Sequence, residues 1–122
     1  MSKDITYLNK LVRDRIPDNL ANEGKRAVLT IVTGEELLQA MRRKIIEEAN
    51  ELATAEGKDK ITEEIGDLLE IIAAYRNACD VTAHDVQAVM MRKTSKSGNF
   101  TQGRFLISIS EETIPEMVRR HP

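Results

Sequence analysis

A chain of 122 residues, 41% of them hydrophobic, is sized for about one domain. Its formal net charge of −2 gives no general attraction to a nucleic acid polymer, and its single cysteine excludes an intrachain disulfide framework, in keeping with a reducing, cytoplasmic setting. No early apolar run resembles a signal peptide and no stretch approaches a membrane span, so no membrane partner is expected.

With two Phe, two Tyr and no Trp, packing falls to Leu, Ile, Val, Met and Ala, as is common in helical bundles. Met1 to Lys10 reads as an extended or irregular arm anchored by Tyr7, Leu8 and Leu11. Lys10, Arg13 and Arg15 follow in a cation-dense segment that breaks at Pro17. Such a segment can direct two of its cations toward a phosphate. The alternative pairs Arg13 or Arg15 with Asp14 or Asp18. Pro17 suits the first turn of a short helix to about Asn22, and Gly24 supplies an exit. Ala27 to Val32 is a strand candidate whose only comparable partner is Phe105 to Ser110, which suggests a small β-ribbon beside a helical body.

Thr33 and Glu36 have capping-box spacing, opening a first long helix from about Gly34 to Thr54. Gly57 permits a turn and Asp59 is a candidate cap for a second long helix ending near Cys79. The short link implies an antiparallel helical hairpin. In the first helix Leu38, Met41, Ile45, Ala49, Leu52 and Ala53 share one arc, with Glu48 at its edge in register with Met41, Ile45 and Leu52. Lys44, Glu47 and Glu51 lie just beyond it. In the second, Ile61, Ile65, Leu68, Leu69, Ile71, Ile72, Tyr75 and Cys79 share a face that also holds Glu64, with Asp67 on its rim. Gly66 beside them permits either a close helix approach or an ordinary surface glycine.

A carboxylate facing a helix-packed interior must be neutralised, hydrogen-bonded or bound to a cation. Glu48 with Glu51, and Glu64 with Asp67, each present two carboxylates from consecutive turns. An antiparallel hairpin brings all four into one small volume, where oxygen-only ligands favour Mg²⁺, with Mn²⁺ as the alternative. The competing reading makes them surface acids, with Glu47 or Glu48 paired to Lys44.

Thr82 and Asp85 form another cap signature, opening a third, shorter helix with Val86, Val89 and Met90 along a narrow stripe. His84 has no companion ligand at metal spacing, Cys79 reads as structural, and His121 adjoins the end of the sequence. The span 35–80 holds twelve acids and six bases, while 81–104 holds one acid and four bases. That distal stretch carries Lys93, Lys96 and Arg104 among glycines, without a P-loop pattern. Together the acids and the basic turn suggest metal-assisted cleavage within a phosphate chain. Glu47 or Glu51 would accept the proton of the attacking water, and Lys93, Lys96 and Arg104 would stabilise the leaving phosphate.

The sequence resembles the MazG-like nucleotide pyrophosphohydrolases, in the all-α NTP pyrophosphatase superfamily that includes phosphoribosyl-ATP pyrophosphohydrolases. Glu47-Glu48-Ala49-Asn50-Glu51 and Glu64-Ile65-Gly66-Asp67 are similar to that family's EExxE…ExxD pattern. Tyr7 to Pro17 resembles the opening of a small phosphoribosyl-ATP pyrophosphohydrolase-like branch. Lys93 and Ser97-Gly98-Asn99-Phe100 resemble that branch's lysine followed by Arg-Gly-Gly-Phe, with serine for the arginine and asparagine for the second glycine. The resemblance implies that Glu48, Glu51, Glu64 and Asp67 bind Mg²⁺, with Glu47 in or beside the metal shell. It also implies cleavage of a nucleoside triphosphate or phosphoribosyl-nucleotide to monophosphate and pyrophosphate. The implied fold is mainly α, a helical hairpin plus further helices forming an oligomeric bundle as a dimer or tetramer, with 1–122 as one domain.

Overall fold

The computed structural model describes residues 4–111, which form four α-helices: α1 (Ile16–Asn22), α2 (Gly34–Thr54), α3 (Lys58–Ala78) and α4 (Ala83–Ser97). The chain divides into two compact units, Met1–Gln87 and Ala88–Pro122, with the division inside α4. His121 lies outside the described residues.

In the first unit, α2 and α3 pack as an antiparallel hairpin joined by residues 55–57. The start of α2 meets the end of α3 where Arg42 Nε donates to Tyr75 Oη at 3.0 Å, while another Arg42 nitrogen reaches Glu35 at 3.1 Å. Gly57, at φ +85, reverses the chain in a conformation that a Cβ disfavours. Gly57 itself is the N-cap of α3, and Asp59 falls in the first turn, where its charge complements the helix dipole without capping.

The expected capping box at Thr33 is not formed. Gly34 adopts φ +59, leaving Thr33 in extended backbone with no side-chain cap hydrogen bond. At α4 the box is complete: Asp85 N–H donates to Thr82 Oγ1 at 3.0 Å and Thr82 N–H to Asp85 Oδ2 at 3.2 Å. α1 opens on Ile16, with Pro17 in its first turn as expected.

The β-ribbon is corrected. Neither residues 27–32 nor 105–110 form a strand, and no strand occurs among the described residues. Val28, Ile31, Phe105 and Ile107 are exposed. Their β-branched and aromatic composition favours extended backbone, but a strand exists only where a second backbone takes its hydrogen bonds.

Little apolar surface is buried in the hairpin. Among the described residues only Met41 and Ile71 are buried hydrophobics. The broad arc expected on α3 splits in two. Leu68, Ile71 and Tyr75 turn inward with Glu64, whereas Ile61, Ile65, Leu69 and Ile72 form an exposed stripe. Ala49 and Ala53 of α2 and Cys79 after α3 are likewise exposed, not packed. A Cβ built on Gly66 meets nothing within 4 Å, so this glycine admits no close helix approach.

Candidate functional site

The most buried side chain among those described belongs to Glu64, 2% exposed, and Glu48 is 7% exposed. Helical register puts them there. Glu48 lies two turns after Met41, and Glu64 two turns before Ile71, so each acid continues the inward stripe of a buried apolar residue. Glu51 follows Glu48 by one turn and Asp67 follows Glu64 by one turn, extending the acidic surface toward the rim.

These positions create two groups that share Glu64. Glu48, Glu51 and Glu64 bring one carboxylate oxygen each within 4.8 Å of one another, and so do Glu63, Glu64 and Asp67. Glu63 was not evident in the sequence reading, although its adjacency to Glu64 was a signal. Glu47, by contrast, joins neither group.

Four cations border the acids. Lys44 reaches Glu48 at 3.2 Å and Glu47 at 3.5 Å from the preceding turn of α2. Lys60 reaches Glu64 at 3.0 Å and Glu63 at 3.4 Å from the preceding turn of α3. Its i,i+4 spacing to Glu64 is a signal already present in the sequence. Lys10 pairs with Glu47 at 3.2 Å, and Arg13 with Asp67 at 2.9 Å and Glu70 at 3.8 Å. Arg13 thus pairs with neither Asp14 nor Asp18, and Glu70 is a partner that local spacing cannot reveal. Arg15 is the N-cap of α1 and pairs with no described acid. Lys93 and Lys96 on α4, and Arg104 beyond it, are exposed and belong to the second unit.

Even with these cations, Glu48 Oε2 and Glu64 Oε2 are buried without a hydrogen-bond partner. Each carboxylate keeps a lysine on its other oxygen, so the cost is that of one unpartnered buried acceptor, about 1–3 kcal/mol, which a cation between the carboxylates would offset. The charge of Glu64 is the main cause holding the Glu51 carboxyl above its ordinary range, reinforced by desolvation and by a hydrogen bond that a protonated Glu51 donates to Glu64. With both ionised, neither has a proton to share. At Glu47 desolvation pushes upward, but Lys10 and Lys44 together outweigh it and hold the carboxyl below its ordinary value. The all-oxygen donor set and its two unsatisfied buried oxygens fit a hard divalent cation.

Residues 36–99, just over half of the chain, match the model of the MazG nucleotide pyrophosphohydrolase domain. The chain belongs to the MazG family. No curated protein and no solved structure matches it. Both carboxylate groups, with Lys44 and Lys60, lie inside the MazG match. Lys10, Arg13, Arg15 and Arg104 lie outside it. Family membership and the clustered acids support metal-assisted nucleotide pyrophosphohydrolase activity in general. No helix among the described residues is long and apolar enough to cross a membrane.

Proposed function

We propose that this MazG-family chain is a Mg²⁺-dependent pyrophosphohydrolase that converts a nucleoside triphosphate to monophosphate and pyrophosphate, with Mn²⁺ able to substitute. The observation carrying this reading is the pair of buried carboxylates, Glu48 and Glu64, each with an unpartnered oxygen inside a three-carboxylate group. Glu48, Glu51, Glu64 and Asp67 hold the ion. Bound there, it screens the phosphate charge and lowers the pKa of the attacking water. Glu47, paired with Lys44 on its own helix and outside both groups, accepts that water's proton, with Glu51 as the second candidate. Lys44 neutralises the acids beside the reacting phosphates, with Arg15 at the periphery of the substrate. The chain works as one domain over 1–122 in the cytoplasm.

Product-resolved hydrolysis tests this across canonical and modified NTPs, dNTPs and phosphoribosyl-ATP, with and without Mg²⁺. Metal-dependent release of monophosphate and pyrophosphate is expected, and phosphoribosyl-ATP as best substrate would move the protein to that branch. Metal-dependent nucleotide binding without any product would replace catalysis by a regulatory role, a reading favoured by Ser97 and Asn99 where the branch pattern has Arg and Gly.

Assembly into a homodimer or tetramer is part of the same proposal. A single chain buries two hydrophobic residues among those described, while Ile46 is 61% and Leu69 59% exposed on the long helices. An apolar stripe of this kind calls for cover by a second copy. Leu69→Lys, with Ile65→Lys beside it, should shift the protein to a smaller species in analytical ultracentrifugation. An unchanged sedimentation coefficient, or a monomeric parent protein, would remove the stripe from the interface.

A further inference from the structure

Residues 10–13 adopt neither helix nor strand, yet they are tied to both long helices. Lys10 Nζ lies 3.2 Å from Glu47 Oε1 on α2, and Arg13 Nη2 lies 2.9 Å from Asp67 Oδ1 on α3. Arg13 Nη1 adds Glu70 at 3.8 Å, one turn further along α3. Between the two cations, Leu11 and Val12 are half-buried, whereas residues 4–10 are exposed. The segment is therefore held at both ends by charge, with its apolar centre half-buried. It also precedes the stretch that matches the MazG domain.

We propose that residues 10–13 form an electrostatic strap, anchored by Lys10 on Glu47, whose Arg13 competes with a divalent cation for Asp67. Held down, Lys10 and Arg13 are counter-ions of Glu47 and Asp67; released, they are free to meet substrate phosphates. This inference rests on the reading of the cluster as an ion site.

Three features support it. Asp67 serves Arg13 and also belongs to the Glu63–Glu64–Asp67 group, so an ion in that group places two positive centres on one carboxylate. The strap cations are the ones able to leave. Lys44 and Lys60 sit on the same helices as their partners at i,i+3 and i,i+4 spacing, whereas Lys10 and Arg13 come from a separate, irregular segment. Finally, the strap pairs are partly exposed, with Arg13 57% and Asp67 36% accessible, and pairs of that kind are weak enough to exchange for a doubly charged ion. Linkage then fixes the sign: if the ion loosens the strap, losing the strap tightens the ion.

The test uses the full chain and Mn²⁺ alone, with binding followed by electron paramagnetic resonance. Arg13→Gln should bind Mn²⁺ on the order of threefold more tightly than the parent. The double variant Lys10→Met/Arg13→Gln should gain more, and Arg13→Lys should fall between parent and Arg13→Gln. A second readout needs no variant. Trypsin cleavage after Lys10, measured against cleavage after Arg26 in the same chain, should accelerate about threefold on Mn²⁺ addition as the strap is released. Unchanged or weakened Mn²⁺ affinity in the double variant overturns the strap while leaving the ion site intact, and so does a cleavage ratio that Mn²⁺ leaves unaltered or lowers. Absence of Mn²⁺ binding in parent and variants alike removes the ion-site reading, and the strap with it.

Discussion

Glu64→Gln is expected to lower metal-dependent turnover by a hundredfold or more while leaving the hairpin folded. Groups that merely orient metal ligands typically cost about 10–100-fold when lost, and Glu64 is shared by both three-carboxylate groups. The stability effect should run the other way. Glu64 is the most buried side chain described, one of its oxygens has no partner, and its charge opposes that of Glu51. Glutamine keeps the shape, removes the charge and brings an amide N–H that Glu51 can accept. With divalent ions chelated, the variant should therefore melt no lower than the parent, and gain about 1 kcal/mol if relief of burial outweighs loss of the exposed Lys60 partner. Turnover and thermal melting in EDTA measure the two halves. Turnover within threefold of the parent would remove Glu64 from the ion site.

A second large effect is expected from the ion itself. At a hundredfold excess over its Kd, Mg²⁺ or Mn²⁺ should stabilise the folded chain by about 2.7 kcal/mol. For a protein of this size that is a rise in Tm of roughly 10 °C, reversed by EDTA. The pH dependence has a definite sign. Glu51 has a folded-state pKa raised above its unfolded value, chiefly by the charge of Glu64. Without an ion, the folded chain consequently holds more protons than the unfolded chain between those two values, and loses stability as pH rises through that window. Ion binding requires the ionised carboxylates and relieves their repulsion. The ion-induced rise in Tm should be greatest above the window and shrink toward acid pH. Melting curves that divalent ions leave unmoved at every pH would rule out the site.

What the sequence discloses here is what local periodicity controls. The expected first long helix, Gly34 to Thr54, coincides with α2, because its apolar spacing repeats over many turns. Glu48 falls inward for the same reason, sharing a register with Met41. The box at Thr82 and Asp85 is equally local, needing only residues three apart. Thr33 and Glu36 have the same spacing, but Gly34 between them takes a positive φ and Thr33, though it is the N-cap, makes no side-chain bond, and that backbone choice leaves no mark in the motif. Residues 27–32 and 105–110 carry strand propensity yet form no ribbon, because propensity names no partner. The arc on α3 split because periodicity finds apolar residues without saying what covers them, so Ile71 is buried and Leu69 is not. The candidate ion site was legible as two carboxylate pairs. Its border was not, since Arg13 reaches Asp67 from far along the chain and no spacing rule connects them.

The link at residues 55–57 carries a consequence for how the molecule comes into being. The acids of α2 and α3 lie toward the joined end of the hairpin, so they are drawn together by closure of a short loop, an elementary event on the scale of about 10–100 ns. A divalent ion bound at the proposed site would favour that closure as well as the finished hairpin.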